Sequence, residues 1–444
     1  MKCAPTFLCT AGVQSRRGFE PAGHACLPSP RGGPLKMRVR KDRIQKDLEV
    51  INDFNATPGK GITRFTFSRE HQGALFYVVE ELRRIGAACT FAPGGNLKGR
   101  LEGSHPSGPA VMMGSHLDTV AEGGRFDGTA GIAAALEAAR MIKEEHVPHR
   151  LPIDVVVFAE EEGGRFGWGL LGSSVWSGRM IADHLARIRD REGVGYGEAM
   201  EGAGVKIQDC TLLRPEALKA MLELHIEQGS VLESRTATIG VVEAIVGIQQ
   251  VLVTIEGSAD HAGTTPMNLR RDAMQGAARI IAAVETVARQ EGEGGVATVG
   301  QVFCEPGQAN VIPGLVRFSV DVRHRDESRL RAMAAGVAHV AETISKARNL
   351  RCHTEVKTEA EPVEMTPGIC DLVETIARVK GVEPVRMASG AGHDTGIIAK
   401  ISDAGMIFVP SRGGRSHCAE EFTRLEDIAL GAEVLLETVV ALAR

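Results

Sequence analysis

The chain has 444 residues, 43% hydrophobic and 24% charged, long enough for more than one core and ordinary in composition for a globular protein. The 51 basic and 56 acidic side chains leave a net charge of -5, a balance that gives no field for nucleic acid or anionic lipid. No apolar run approaches the ~18 residues that span a bilayer, and the nine cysteines are scattered, with no zinc-ribbon or redox pairing; together these predict a soluble cytoplasmic protein with reduced thiols.

In chain order, residues 1–36 carry a short apolar stretch broken by Thr and Pro, followed by Arg, Pro and Gly, a poor signal peptide. Met37 leads at once into the charged, helix-like RVRKDRIQKDLEVINDF, so the expectation is that translation starts near Met37 and that the preceding segment is disordered or spurious. From about Val111 short apolar runs alternate with longer helical stretches, the pattern of a sheet covered by helices. Candidate strands are AVMMGSH, PIDVVVF, AMLELH and GMIFVPS, with Ala- and Leu-rich helical composition at 129–145 and 369–380. The Gly- and Glu-rich residues 192–204 read as a loop.

Residues 248–362 read differently: a strand, VLVTIEG, a helix at 272–289, strands near 296–303 and 315–322, a helix at 327–346 and a strand near 352–358. This βαββαβ order predicts a small antiparallel sheet with two helices on one face, inserted into the first unit. The expected organisation is therefore α/β: a metal-binding mixed-sheet catalytic domain in two parts, 37–247 and 363–444, interrupted by a smaller lid and dimerisation domain.

Chemistry-bearing residues collect at the ends of the predicted strands. AVMMGSH ends in His116, and eleven positions later the loop GGRFDG places Asp127 at a helix start; PIDVVVF runs into Glu160, Glu161 and Glu162; ELHIEQG supplies His225, and the segment after GMIFVPS supplies His417. In open α/β sheets ligands gather outside the carboxyl ends of the strands, so four segments converge. Imidazole and carboxylate without thiolate suit a divalent ion such as Zn or Mn, and one carboxylate can join two ions. Three adjacent buried glutamates would repel one another unless cations neutralise them, and Asp118 is placed to orient His116.

A single histidine is ordinarily a surface or satisfied core group, and His105, His146, His149, His184 and His324 stay in that class. An isolated run of glutamates is ordinarily a solvated face; only the whole set departs from that reading. PGKGIT at 58–63 lacks phosphate-loop spacing, and Cys418, beside His417, reads as a packed thiol with no second base specified near it.

Taken in series, GSHLDTV, GGRFDG, AEEEGGRFG, ELHIEQG, ADHAGTTPM, PGQANVIP, DVRH, SGAGHD and GGRSHCAEE resemble the hydantoinase/carbamoylase family of M20-type metallohydrolases over roughly residues 40–442. The resemblance implies two divalent ions per subunit, with Asp127 between them, His116 and His225 completing one site, and Glu162 and His417 the other. It implies Glu161 as general base, His261 as an oxyanion donor supplied across a homodimer interface, and Asn310 and Arg323 as a clamp for the substrate carboxylate. Gln228, Gly392 and His393 would shape the same pocket, and Gln250 would help decide the substrate. The sequence has AIVGIQQVLV, with Gln249 and Gln250 where allantoate amidohydrolases of this type carry a basic residue, which favours an N-carbamoyl-L-amino acid over allantoate. The implied reaction is hydrolysis of the carbamoyl C–N bond of a small carboxylate-bearing substrate. Allantoate comes second, an N-acyl amino acid or dipeptide third, and an inactive metal-stabilised binding protein is the alternative from another class.

Overall fold

A computed structural model describes residues 37–208, 211–292 and 294–444; the reading of residues 1–36 lies outside them. The larger sheet contains β1 (Ala88–Ala92), β2 (Asn96–Leu101), β3 (Ala110–His116), β4 (Ile153–Phe158), β5 (Leu218–Ile226) and β6 (Gly240–Ile245). The smaller contains β7 (Gly247–Glu256), β8 (Val296–Glu305), β9 (Leu315–His324) and β10 (Arg351–Ala360), after which β11 (Val363–Glu364), β12 (Val385–Ser389) and β13 (Asp403–Val409) return to the larger. Its order is β1-β2-β4-β3-β5-β13-β6-β11, with β12 on β6; the four central strands β4, β3, β5 and β13 are mutually parallel, and the flanking pairs are mostly antiparallel.

Those central strands read as continuous apolar runs because helices cover both faces. Every residue of β3 and β4 is buried. The helix Thr129–Glu144, rich in Ala, packs closely on β3 and β5, and the C-terminal helix Leu425–Ala443 lies against it and over β5 and β13. The sequence reading did not resolve β1, β2, β6, β12 or the helix Arg69–Arg84. It also missed the helix Tyr196–Gly202 inside the stretch read as a loop. That correction has a tertiary cause: Tyr196 is buried, its ring meets Phe67 and Phe166 edge-on at 5.2 and 4.9 Å, and its hydroxyl donates to the Gly94 carbonyl.

The small sheet has the order β10-β7-β9-β8 and is antiparallel throughout. The helices Ala273–Gln290 and Glu327–Ala347 cover one face, where Val251, Val253 and Ile255 of β7 and Val316, Phe318, Val320 and Val322 of β9 are buried. Period-two alternation sends Ile248, Gln250, Asp321 and Arg323 to the opposite face, and there the first residues of β7 and the last of β9 meet the larger sheet. Among the described residues no helix is long and apolar enough to cross a membrane.

Candidate metal centre

The carboxyl ends of β3, β4, β5 and β13 open on one cleft, and the five residues of the expected metal set meet in it around Asp127. The two oxygens of Asp127 face different groups. Oδ1 lies 3.4 Å from His116 Nε2 and 3.2 Å from His225 Nε2, whereas Oδ2 lies 3.3 Å from His417 Nε2, which is also 3.3 Å from Glu162 Oε2. His116, Asp127 and His225 could hold one ion, and Asp127, Glu162 and His417 a second.

The local backbone explains how these groups are aimed. His116 Nδ1 faces the Asp118 carbonyl at 2.9 Å, and His225 Nδ1 faces the Ile226 carbonyl at 2.9 Å. A proton on each Nδ1 satisfies that carbonyl and leaves Nε2 as an inward lone pair, the form a metal ligand needs. His116 Nε2 is buried with no hydrogen-bond partner, an orphan a cation would satisfy. The donor set therefore fits divalent cations of the Zn or Mn kind.

Asp118 does more than stand beside His116. Its carbonyl faces His116 Nδ1 at 2.9 Å and its carboxylate Oδ1 lies 3.8 Å from the same nitrogen; the carboxylate also accepts the backbone N–H groups of Glu161 at 3.2 Å and Glu162 at 3.0 Å, fixing the turn that presents both glutamates. The three glutamates do not act together. Glu160 turns away and accepts the N–H groups of Arg165 and Phe166, organising the loop behind the cleft. Two residues whose role the sequence did not show, Ser416 and Glu421, hold Asp127 in place: Glu421 accepts the N–H groups of Phe126 and Asp127, and the Ser416 hydroxyl donates to Asp127 Oδ2. Both stand inside GGRSHCAEE, a motif otherwise read only for its histidine.

The cavity has a volume of about 270 Å³ and is lined by Glu161, Arg323, Gly392 and His393 as well as Asp127, Glu162, His225 and His417. Arg323 donates to both oxygens of Asp321 and to the Gly390 carbonyl. Gln228 also reaches the cavity, but its amide nitrogen donates to Asp127 Oδ2 at 2.7 Å. His393 is buried edge-on against the His225 ring, centroids 4.6 Å apart, with Nε2 on the Ser389 hydroxyl. Three residues expected on the substrate side, Gln250, His261 and Asn310, do not line this cavity. Gln250 is exposed and its nearest partner is Asp321; Gln249, on the helix-covered face, donates to Glu359. His261 and Asn310 are exposed and stand together on neighbouring loops, where Ala262 N–H donates to the Asn310 carbonyl. His261 Nδ1 accepts the N–H groups of Gly263 and Thr264, which leaves the ring proton on Nε2 as an outward donor.

Electrostatics agree with a site built for cations. Burial, with Asp127 beside it, pushes the Glu162 carboxyl up to about 7; burial and then Asp118 push Glu160 up to about 7; and Asp127 pushes the His417 imidazole up to about 9. Without cations each group is raised above its unfolded value, so the folded state holds these protons more tightly than the unfolded chain. For the two glutamates that stabilisation is complete below about 4.5 and lost as pH rises through about 7; for His417 it is complete below about 6.5 and lost through about 9. Asp127 is shifted the other way and matters only in acid. Chelated protein should therefore unfold at a temperature lower by about 5 °C or more at pH 8.5 than at pH 6. Restoring Zn or Mn should shrink the difference, because cation binding expels the protons of Glu162 and His417 while Glu160 stands outside both ligand sets. A midpoint independent of pH in the chelated protein would contradict this account.

A mixed α/β sheet whose strand ends bring two histidine-and-carboxylate sets onto one shared aspartate is compatible with binding divalent cations of the kind hydrolases use. Residues 112–441 match the family described as Peptidase family M20/M25/M40. The chain is 37% identical over 409 residues to an N-carbamoyl-L-amino-acid amidohydrolase of Paenarthrobacter aurescens, covering 92% of this chain and 99% of that protein. It is 35% identical over 406 residues to an allantoate amidohydrolase of Escherichia coli, covering 91% and 98%. A crystal structure of an amidase of the hydantoinase/carbamoylase family from Burkholderia multivorans superposes with a TM-score of 0.88 at 33% identity, covering 92% of this chain and 99% of that one. The chain belongs to the M20 family, and it is a hydrolase acting on C–N bonds other than peptide bonds.

Proposed function

We propose that this protein hydrolyses the carbamoyl group of an N-carbamoyl-L-amino acid with two divalent cations, and that the division of Asp127 between two ligand sets carries the reading. His116 and His225 with Asp127 Oδ1 would hold one cation, and Glu162 and His417 with Asp127 Oδ2 the other. Bound cations supply Lewis acidity toward the carbamoyl oxygen and lower the pKa of water. Everything else falls to the chain's own side chains.

Glu161 takes a proton from the attacking water and returns it to the departing nitrogen. Its carboxyl is buried, with Oε2 3.8 Å from His116 Nε2, which sets a carboxylate beside the ligand set where a general base is needed. The water oxygen bonds to the carbonyl carbon and one C–N bond breaks; the carbamic acid then loses its second C–N bond, so one water converts the substrate into amino acid, ammonia and carbon dioxide. Arg323, on the opposite wall of the cavity, binds the carboxylate of the substrate. His261 and Asn310 lie outside the cavity of their own chain, and they serve the site of a second copy in a homodimer formed through the inserted domain. The outward Nε2–H of His261 is a donor suited to a developing oxyanion.

Allantoate is the second reading, supported by the relative of that name. Ammonia release from N-carbamoyl amino acids, allantoate and 3-ureidopropionate, with Zn or Mn restored after chelation, tests the proposal. Turnover is expected with N-carbamoyl amino acids, and a clear preference for allantoate would replace the first reading with the second.

A further inference from the structure

The cavity contains apolar groups that metal chemistry does not use. Leu170 and Ile248 line it from opposite units, Leu170 from the loop after β4 and Ile248 from the start of β7, with Ala391 and Gly392 between them as small residues. Leu170 has φ 57° and ψ 29°, the left-handed region, where a leucine is strained and glycine is the inexpensive choice. Glu160, Gln228 and His417 share that positive φ, so strained backbone gathers around this cleft, as it does at functional sites.

The strain at Leu170 is held from outside. Leu170 N–H donates to the Glu161 carbonyl at 2.8 Å, Leu171 N–H to Glu160 and Gly172 N–H to Ala159, so the turn folds back along the end of β4 and sets a leucine side chain beside the acid–base residue. A methyl group on Gly392 would meet Leu170 Cδ1 at 3.6 Å; the missing side chain leaves a recess against the leucine. Across the cavity Ile248 pairs in register with Arg323. Side chains on such a pair lie ~5 Å apart at Cβ, so an apolar group and a cation are presented together. A single α carbon bearing both a carboxylate and an apolar side chain matches that pairing. A second carboxylate does not: Glu161, Glu162 and Asp127 already face the cavity, and Arg323 is the sole Arg or Lys among its described lining residues.

We infer that Leu170 and Ile248 are specificity-determining residues that bind an aliphatic side chain, so that the substrate is an N-carbamoyl derivative of an aliphatic α-amino acid. This rests on the carbamoyl-hydrolase reading above. The test measures kcat/KM of the metal-loaded full chain with N-carbamoyl-leucine, N-carbamoyl-glycine, N-carbamoyl-aspartate and allantoate. The leucine derivative is expected to exceed the glycine derivative by roughly tenfold or more, with the aspartate derivative below both. Leu170→Ala and Ile248→Ala should each lower the leucine-to-glycine ratio by about tenfold. Because Leu170 stands in a loop of the larger unit and Ile248 on a strand of the smaller, a folding defect in one variant leaves the other to decide. An unchanged ratio in a folded variant, or a wild-type preference for aspartate or allantoate, overturns the inference while carbamoyl hydrolysis stands. Absence of ammonia from every N-carbamoyl substrate would instead bring down the underlying reading.

Discussion

Glu161→Gln is expected to lower kcat by a factor of roughly 10² to 10⁴ while metal content stays at the wild-type level, the span that general acid–base catalysis contributes. The substitution is nearly isosteric, and the groups that fix the residue remain. Its N–H still reaches the Asp118 carboxylate, and its carbonyl still accepts from Leu170. What disappears is the ability to take a proton and give it back. A loss of this size corresponds to ~3 to 5.5 kcal/mol of activation free energy, far more than a packing change at one polar atom. Full turnover with unchanged metal would rule Glu161 out as the base. The same variant tests the proposed sharing of sites between subunits: mixed with a His261→Ala chain, it should form heterodimers in which one site combines an intact Glu161 with the partner's intact His261. Recovery of activity above that of either variant alone is expected; its absence would show that His261 does not work across an interface.

The parts of this centre that were legible in the sequence are those where chemistry and periodicity coincide. His116, Glu161, Glu162 and His225 follow directly on apolar runs that can only be buried strands, so the position of each at a strand end could be read before any pairing was known. The βαββαβ unit was equally plain, because β7 and β9 alternate with period two and the helices between them are long. Short or polar-edged elements escaped. β12 and β6 combine small and apolar residues with no clear period, and the helix Tyr196–Gly202 exists because Tyr196 finds two aromatic neighbours from distant segments. Asp118 was recognised as a partner of His116, but only the folded turn shows that its carboxylate also meets two backbone N–H groups and that its carbonyl meets the imidazole. Leu170 carried no signal at all: an apolar residue after a glycine-rich stretch looks like filler until its left-handed backbone and its place in the cavity are seen.

Asp127→Asn is expected to reduce metal content from the proposed two ions per chain to about one or fewer, and to lower activity at least as far as Glu161→Gln, because a joining carboxylate is needed for the proposed paired site. The direction follows from the hydrogen bonds around it. Gln228 Nε2 at 2.7 Å and the Ser416 hydroxyl at 2.9 Å both donate toward Oδ2, so an asparagine would keep its carbonyl oxygen there and turn its NH₂ toward His116 and His225. Two imidazole lone pairs would then face a donor instead of an anion, and the site they share with Oδ1 would fail first. His225→Ala removes a ligand from that same set alone, and should leave the cation held by Glu162 and His417. A second consequence separates lost metal from lost fold: the His417 imidazole, held up chiefly by Asp127, should titrate closer to an ordinary histidine in chelated Asp127→Asn than in chelated wild type. Retention of two ions by the folded variant would mean that Asp127 does not join them, and the two ligand sets would have to be treated as independent sites.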